Sequence, residues 1–407
     1  MTSLFKFKNT FLLALILLFS CGNNQAKNET PTKQLIEKPV QPIVTGAENY
    51  EAYLPLLEGK NVAIVTNQTG ILRANAERKE IHLVDFLLEK GIKIEKILAP
   101  EHGFRGKADA GEHVTDGKDS KTGLPIISLY GNNKKPKPEQ LKGIDLLVFD
   151  LQDVGARFYT YISTLHYVME ACAENKIPVM ILDRPNPNGN IIDGPIREEA
   201  QKSFVGMHPI PVLHGMTIGE YGKMINGEHW LANGIQCDIT VIPCLNYTHE
   251  KFYSLPVKPS PNLPNDKSIN LYPSLCFFEG TNISVGRGTQ MQFQIYGSPL
   301  LPKSDFSFTP KPNEGAKNPK FNGEICWGEN LQQSPVLHQL ELKWLLKAYK
   351  EYPQKERFFS SFFTKLAGTK KLQEQIENGL TEAEIRDSWQ PGLNQFKTIR
   401  RKYLLYQ

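Results

Sequence analysis

Residues 145–187 read DLLVFDLQDVGARFYTYISTLHYVMEACAENKIPVMILDRPNP. The apolar run 145–149 predicts a buried strand. Residues 163–175 place Leu165, Val168, Met169 and Cys172 on one helical face, and residues 178–182 return to strand. Outward from this unit the alternation continues. Residues 62–66, 94–99 and 124–129 are further strand runs, and residues 82–90 have helical period. Strand and helix in alternation predict an α/β fold with a doubly wound, Rossmann-like parallel sheet.

Three polar clusters sit at the ends of these strands: residues 100–106 (PEHGFRG), 149–161 (FDLQDVGARFYTY) and 183–189 (DRPNPNG). A parallel sheet delivers them to one edge, where open α/β folds bind ligands. The first strand is followed by Asn67-Gln68-Thr69-Gly70 rather than GxGxxG, so a dinucleotide is not expected and no cofactor is called for.

After Gly194 the texture changes. Prolines crowd residues 256–264, strand-like pieces fall at 239–243 and 290–296, and residues 299–319 read as an exposed insertion. A helix is predicted over 218–225 and an amphipathic one over 339–350. Thr381 and Glu384 form a capping-box pattern, and Trp389, Phe396, Tyr403 and Leu404 are expected to pack back on the core. The expected organisation is a Rossmann-like catalytic domain over 45–200 and a smaller α+β domain over 201–407 that closes a cleft.

The amino terminus carries Lys6 and Lys8 before an apolar run from Phe11 to Phe19, too short for a mature membrane span but suited to a signal-peptide core. It ends in Leu18-Phe19-Ser20-Cys21-Gly22, the pattern of a bacterial lipobox, with Cys21 as the lipidation site. Residues 1–21 then form the leader and 22–44 a polar tether, which predicts an exported lipoprotein facing the periplasm or cell surface. Of the remaining cysteines, Cys237 and Cys244 are close enough in sequence to pair in an oxidising compartment. With 47 basic and 43 acidic residues the net charge is +4, and the basic residues are dispersed, so nucleic acid is not an expected partner. No metal-ligand spacing is present.

Glu101 stands where a strand gives way to a glycine-flanked turn, the place for a general acid or base, with His102 and Arg105 beside it. Asp150 and Glu112 are candidates for a second carboxylate. Asn67, Gln152, Arg157, Tyr159 and Asn186 are candidate ligand contacts on the strand ends. Tyr159 offers a sugar ring an aromatic face and a hydroxyl. His214, Glu279, Asn282 and Arg287 are candidates from the second region, where an arginine in a small-residue loop can hold a carboxylate.

With these clusters, Thr122-Gly123-Leu124-Pro125, Ser128-Leu129-Tyr130-Gly131, Ser203-Phe204-Val205-Gly206, His214 to Glu220 and Glu279-Gly280-Thr281-Asn282, the chain from about Tyr50 to Gln407 resembles the exo-β-N-acetylmuramidase (NamZ) family of bacterial cell-wall hydrolases. The resemblance implies release of N-acetylmuramic acid from non-reducing ends of peptidoglycan fragments, with Glu101 as the active-site glutamate. The lactyl carboxylate of the sugar then calls for Arg287, Arg157 or Arg105. The acetamido group can itself act as nucleophile, so retention and inversion stay open. A non-catalytic muropeptide- or glycan-binding lipoprotein is the alternative; a Ser-dependent esterase lacks its motif.

Overall fold

A computed structural model describes residues 41–75, 79–101, 103–104 and 116–406. The leader, Cys21, most of the expected tether, His102, Arg105 and Glu112 lie outside the described residues. Val44, expected at the tether's end, already pairs with Leu245 through two backbone hydrogen bonds of 3.0 and 2.8 Å.

Seven strands form the central sheet: β1 (Val62–Thr66), β2 (Ile94–Ala99), β3 (Gly117–Lys118), β4 (Pro125–Ser128), β5 (Leu146–Asp150), β6 (Val179–Leu182) and β7 (Ile239–Ile242). Their order is β7-β6-β5-β1-β2-β4-β3, parallel throughout except for β3 on its edge. Every residue of β1, β5 and β6 is buried, as sheets covered on both faces require. The chain builds outward from β1 through β2 to β4, then returns to place β5 on β1's other side. The strand order therefore reverses between β1 and β5.

Helix α1 (Tyr161–Glu174) follows β5, and the apolar face expected for it, Leu165, Val168, Met169 and Cys172, is fully buried. Helix α2 (Ile218–Gly227) begins with Thr217 and Glu220 in a capping box. The run at 239–243 does form a strand, but as β7 of the central sheet, so that sheet draws on residues beyond 200.

The smaller C-terminal region contains an antiparallel sheet of Ile295–Ser298, Cys326–Asn330 and Ser307–Phe308 with helices around it. The strand expected at 290–296 starts only at Ile295, because Phe293 has a positive φ of 53° that breaks an extended run. The insertion at 299–319 supplies one of these strands. Helix Glu382–Arg400 carries the Thr381–Glu384 capping box, and its Trp389 and Phe396 pack into a core continuous with Leu147, Phe149 and Ile162. All five described cysteines are buried free thiols, so Cys237 and Cys244 do not pair.

Candidate active site

Glu101 lies two residues past β2, half-buried. Thr160, at the start of α1, donates its hydroxyl to Glu101 Oε2 at 3.0 Å, and Tyr130, two residues past β4, donates to Oε1 at 3.1 Å. Parallel pairing sends β2, β4 and β5 to a common edge, and the carboxylate sits where their loops meet.

This carboxylate opens on a cavity of about 230 Å³. The first half of the chain lines it with Glu101, Tyr130, Phe158, Tyr159 and Thr160, and later segments with Phe204, Val205, Ser260, Asn262, Tyr272, Glu279, Arg287, Phe293, Phe362 and Leu366. The volume is below the roughly 300–1,000 Å³ of clefts for drug-sized ligands and suits a single ring.

Glu279 and Arg287 line the same cavity. Arg287 Nε donates to both Glu279 oxygens at 3.2 and 3.1 Å, Nη2 lies 3.0 Å from Oε2, and the guanidinium packs over the Phe293 ring at 5.1 Å. Burial pulls the Arg287 pKa down, but the Glu279 charge and hydrogen bonds more than offset it, and the group is held above its usual range. Among the described residues Nη1 makes no hydrogen bond, so the Glu279-paired guanidinium keeps a donor to spare.

The structure thus brings four of the candidates together: Glu101, Tyr159, Glu279 and Arg287. It puts others elsewhere. Asp150 is fully buried, and both its oxygens are taken by Arg184, at 2.6 and 2.9 Å. It plugs the point where the strand order reverses and does not face the cavity. Asn67 is equally buried; its Oδ1 accepts from the Thr69 amide and hydroxyl at 2.9 and 2.6 Å, and its Nδ2 donates to Tyr161. Gln152 donates to the carbonyls of Asp153 and Pro185, and Asn186 to that of Met216. These side chains satisfy loop backbone that would otherwise be buried unpaired.

Arg157 is also buried. Its Nη1 and Nη2 donate to the carbonyls of Pro195, Ile210, Leu366 and Ala367 at 2.7–2.8 Å. It positions the cavity wall at Leu366 rather than a ligand, and burial lowers its pKa to about 9. His214 is fully buried and lies 3.7 Å from Asp153. Asn282 is exposed and donates to the Arg357 carbonyl. Neither lines the cavity.

Tyr130 and Thr160 were within reach of sequence reasoning, since both stand at strand ends inside the clusters quoted above. Phe204 stands in the Ser203-Phe204-Val205-Gly206 motif but not at a strand end, and Ser260, Asn262 and Phe362 carried no comparable signal, because they arrive from loops remote in sequence. Among the described residues no group of three or more His, Cys, Asp or Glu side chains could hold a metal ion.

The comparison with known families decides what this arrangement belongs to. Residues 62–267 match the N-terminal model of exo-beta-N-acetylmuramidase NamZ, and residues 270–406 match its C-terminal model. The chain belongs to the NamZ family. A NamZ relative, the peptidoglycan beta-N-acetylmuramidase NamZ of Bacillus subtilis (strain 168), is 38% identical over 432 aligned positions, covering 99% of each chain. Two crystal structures of DUF1343 family proteins from Bacteroides fragilis NCTC 9343 share the fold. One has a TM-score of 0.82 at 45% identity, covering 90% of this chain and 99% of that one; the other has 0.76 at 29%, covering 91% and 100%. The two NamZ models meet near residue 268, just ahead of the segment that carries Tyr272, Glu279 and Arg287 to the cavity.

Proposed function

We propose that the protein is an exo-β-N-acetylmuramidase that releases N-acetylmuramic acid from non-reducing ends of peptidoglycan fragments. The observation that carries this reading is a one-ring cavity lined by both Glu101 and the Glu279-paired Arg287, in a chain of the NamZ family. Arg287 Nη1 takes the lactyl carboxylate of the terminal sugar, with Glu279 holding the guanidinium in place. The aromatic rings of Tyr159 and Phe293 pack on the pyranose.

Glu101 protonates the glycosidic oxygen as the C–O bond breaks, and then takes a proton from the incoming water. The hydroxyls of Tyr130 and Thr160 fix the carboxyl group in one rotamer while it cycles. With Asp150 committed to Arg184 and Glu279 to Arg287, the developing cation is met by the substrate's 2-acetamido oxygen or by Glu112. Purified protein tested on a chromogenic β-N-acetylmuraminide checks the reading: sugar is released. Tight binding without turnover would instead make the protein a glycan-binding one.

The leader pattern around Lys6, Lys8 and residues 11–19, with Cys21 after Leu18-Phe19-Ser20, supports export and lipid anchoring at Cys21. Metabolic labelling with a fatty acid checks it: the protein takes up label and Cys21→Ser does not.

A further inference from the structure

The loop that carries Glu279 and Arg287 to the cavity is held by Lys320, which does not itself line the cavity. Lys320 Nζ donates to the carbonyls of Phe278, Thr281 and Ile283, at 3.3, 2.5 and 3.0 Å. The first of these immediately precedes Glu279 in the chain. An ammonium has three donors, and all of them go to one short stretch of backbone.

The lysine is itself fixed. Phe321, next in the chain, has a left-handed φ of 59°, a conformation a bulky residue adopts only when its surroundings impose it. On the other side Pro319 packs on Gly288: a Cβ at that glycine, whose φ is 80°, would come within 2.7 Å of the Pro319 Cβ. The Lys311 amide donates to the Gly288 carbonyl at 2.9 Å. Residues 311–320 therefore brace the loop both beside Glu279 and beside Arg287.

The hydrogen bonds of Lys320 are matched, but its charge is not. Among the described residues it forms no ion pair, and its three partners are neutral carbonyls. Burial lowers its pKa; the Glu279 charge opposes that shift and the Arg287 charge adds to it, so Lys320 belongs to the same electrostatic cluster. Glu279 and Arg287 alone cancel, and with Lys320 the cluster is net positive. Tyr272 and Cys276, which also line the cavity, are kept neutral by burial. Glu101 is uncharged when it acts as the acid.

We infer that Lys320 is a positioning residue for the sugar's carboxylate. It orders the loop that bears Arg287 and gives the neutral Glu279–Arg287 pair the excess positive charge that favours an anionic ring. The inference rests on the muramidase reading.

The test sets KM for a nitrophenyl muraminide beside the inhibition constant of its lactyl methyl ester, which keeps the ring and loses the charge. In Lys320→Met, KM for the acid rises about tenfold with kcat little changed, while the ester binds as before. Lys320→Gln keeps N–H donors for the carbonyls without the charge; it gives the same result and carries the test if Lys320→Met does not fold. Lys320→Arg keeps the charge and the native preference for the acid. A folded neutral variant that retains that preference, or that loses acid and ester alike, overturns the inference. If the native protein releases no sugar from the muraminide, it is the muramidase reading that fails.

Discussion

Arg184 grips both carboxylate oxygens of Asp150, at 2.6 and 2.9 Å, with both side chains buried at the reversal of strand order. Open α/β sheets ordinarily leave that crevice for a ligand. Here the chain fills it with its own ion pair, and the site moves one strand along, to the end of β2. Asp150→Asn therefore acts on stability. Removing one partner of a buried pair costs about 3–5 kcal/mol, so the melting temperature drops sharply while the folded fraction retains turnover. Loss of turnover with an unchanged melting curve would return Asp150 to the mechanism.

Glu101→Gln keeps the side chain's shape but cannot cycle a proton, so turnover falls by about 10²–10⁴-fold with little change in melting temperature. Thr160→Val and Tyr130→Phe each remove one hydroxyl from the carboxylate, and about a tenfold fall in kcat is expected from each, the scale of one hydrogen bond. Steady-state kinetics on the muraminide, with thermal melts as the control, read both effects.

In the proposed mechanism Arg287 sets sugar selectivity. Arg287→Met loses a charge-assisted hydrogen bond to the lactyl group, worth about 1.5–3 kcal/mol, so preference for a muraminide over the matching glucosaminide falls tenfold or more. An unaltered preference would place the carboxylate grip elsewhere, with Arg105 next to be tested.

Arg157 spans sequence-distant segments through four carbonyls, and Gly368, at φ 73°, lies against it; a Cβ there would come within 2.7 Å of Nη2. Arg157→Met leaves several buried carbonyls unpaired, at about 1–3 kcal/mol each, and Gly368→Ala forces the guanidinium off them. Both are expected to show early, broadened unfolding in urea.

Asp153 and His214 respond to pH as a pair. Burial raises the Asp153 pKa to about 7 and lowers that of His214 to about 3, and their side chains lie 3.7 Å apart. Between about pH 4 and 6.5 the folded pair holds one proton on Asp153 and the unfolded pair one on the histidine. The two slopes cancel: the raised aspartate loses stability as pH rises, the lowered histidine gains it. In Asp153→Asn only the histidine's slope remains. Stability then falls, relative to the native protein, as pH drops from 6.5 towards 4, and melting temperatures across that range measure the difference.

Much of the fold was legible in residue order. β1 and β2 have the expected bounds, and α1 buries the face formed by Leu165, Val168, Met169 and Cys172, because periodic burial is a local property of a chain. β3, two exposed residues on the edge of the sheet, offered no period. β7 looked like part of a separate domain, since a four-residue apolar run does not reveal which sheet it joins.

Sequence alone determined the parallel sheet, the functional edge and Glu101 upon it, since each follows from apolar period and from where strands end. Only the tertiary structure decided which polar groups line the cavity. Asn67, Asp150, Gln152, Arg157 and Asn186 have the same chemistry on paper as Tyr130, Thr160 and Arg287. The first five are spent on backbone and counter-charges that would otherwise be buried unpaired, and those partners become known only once Arg184, Pro185, Met216 and Leu366 are brought beside them.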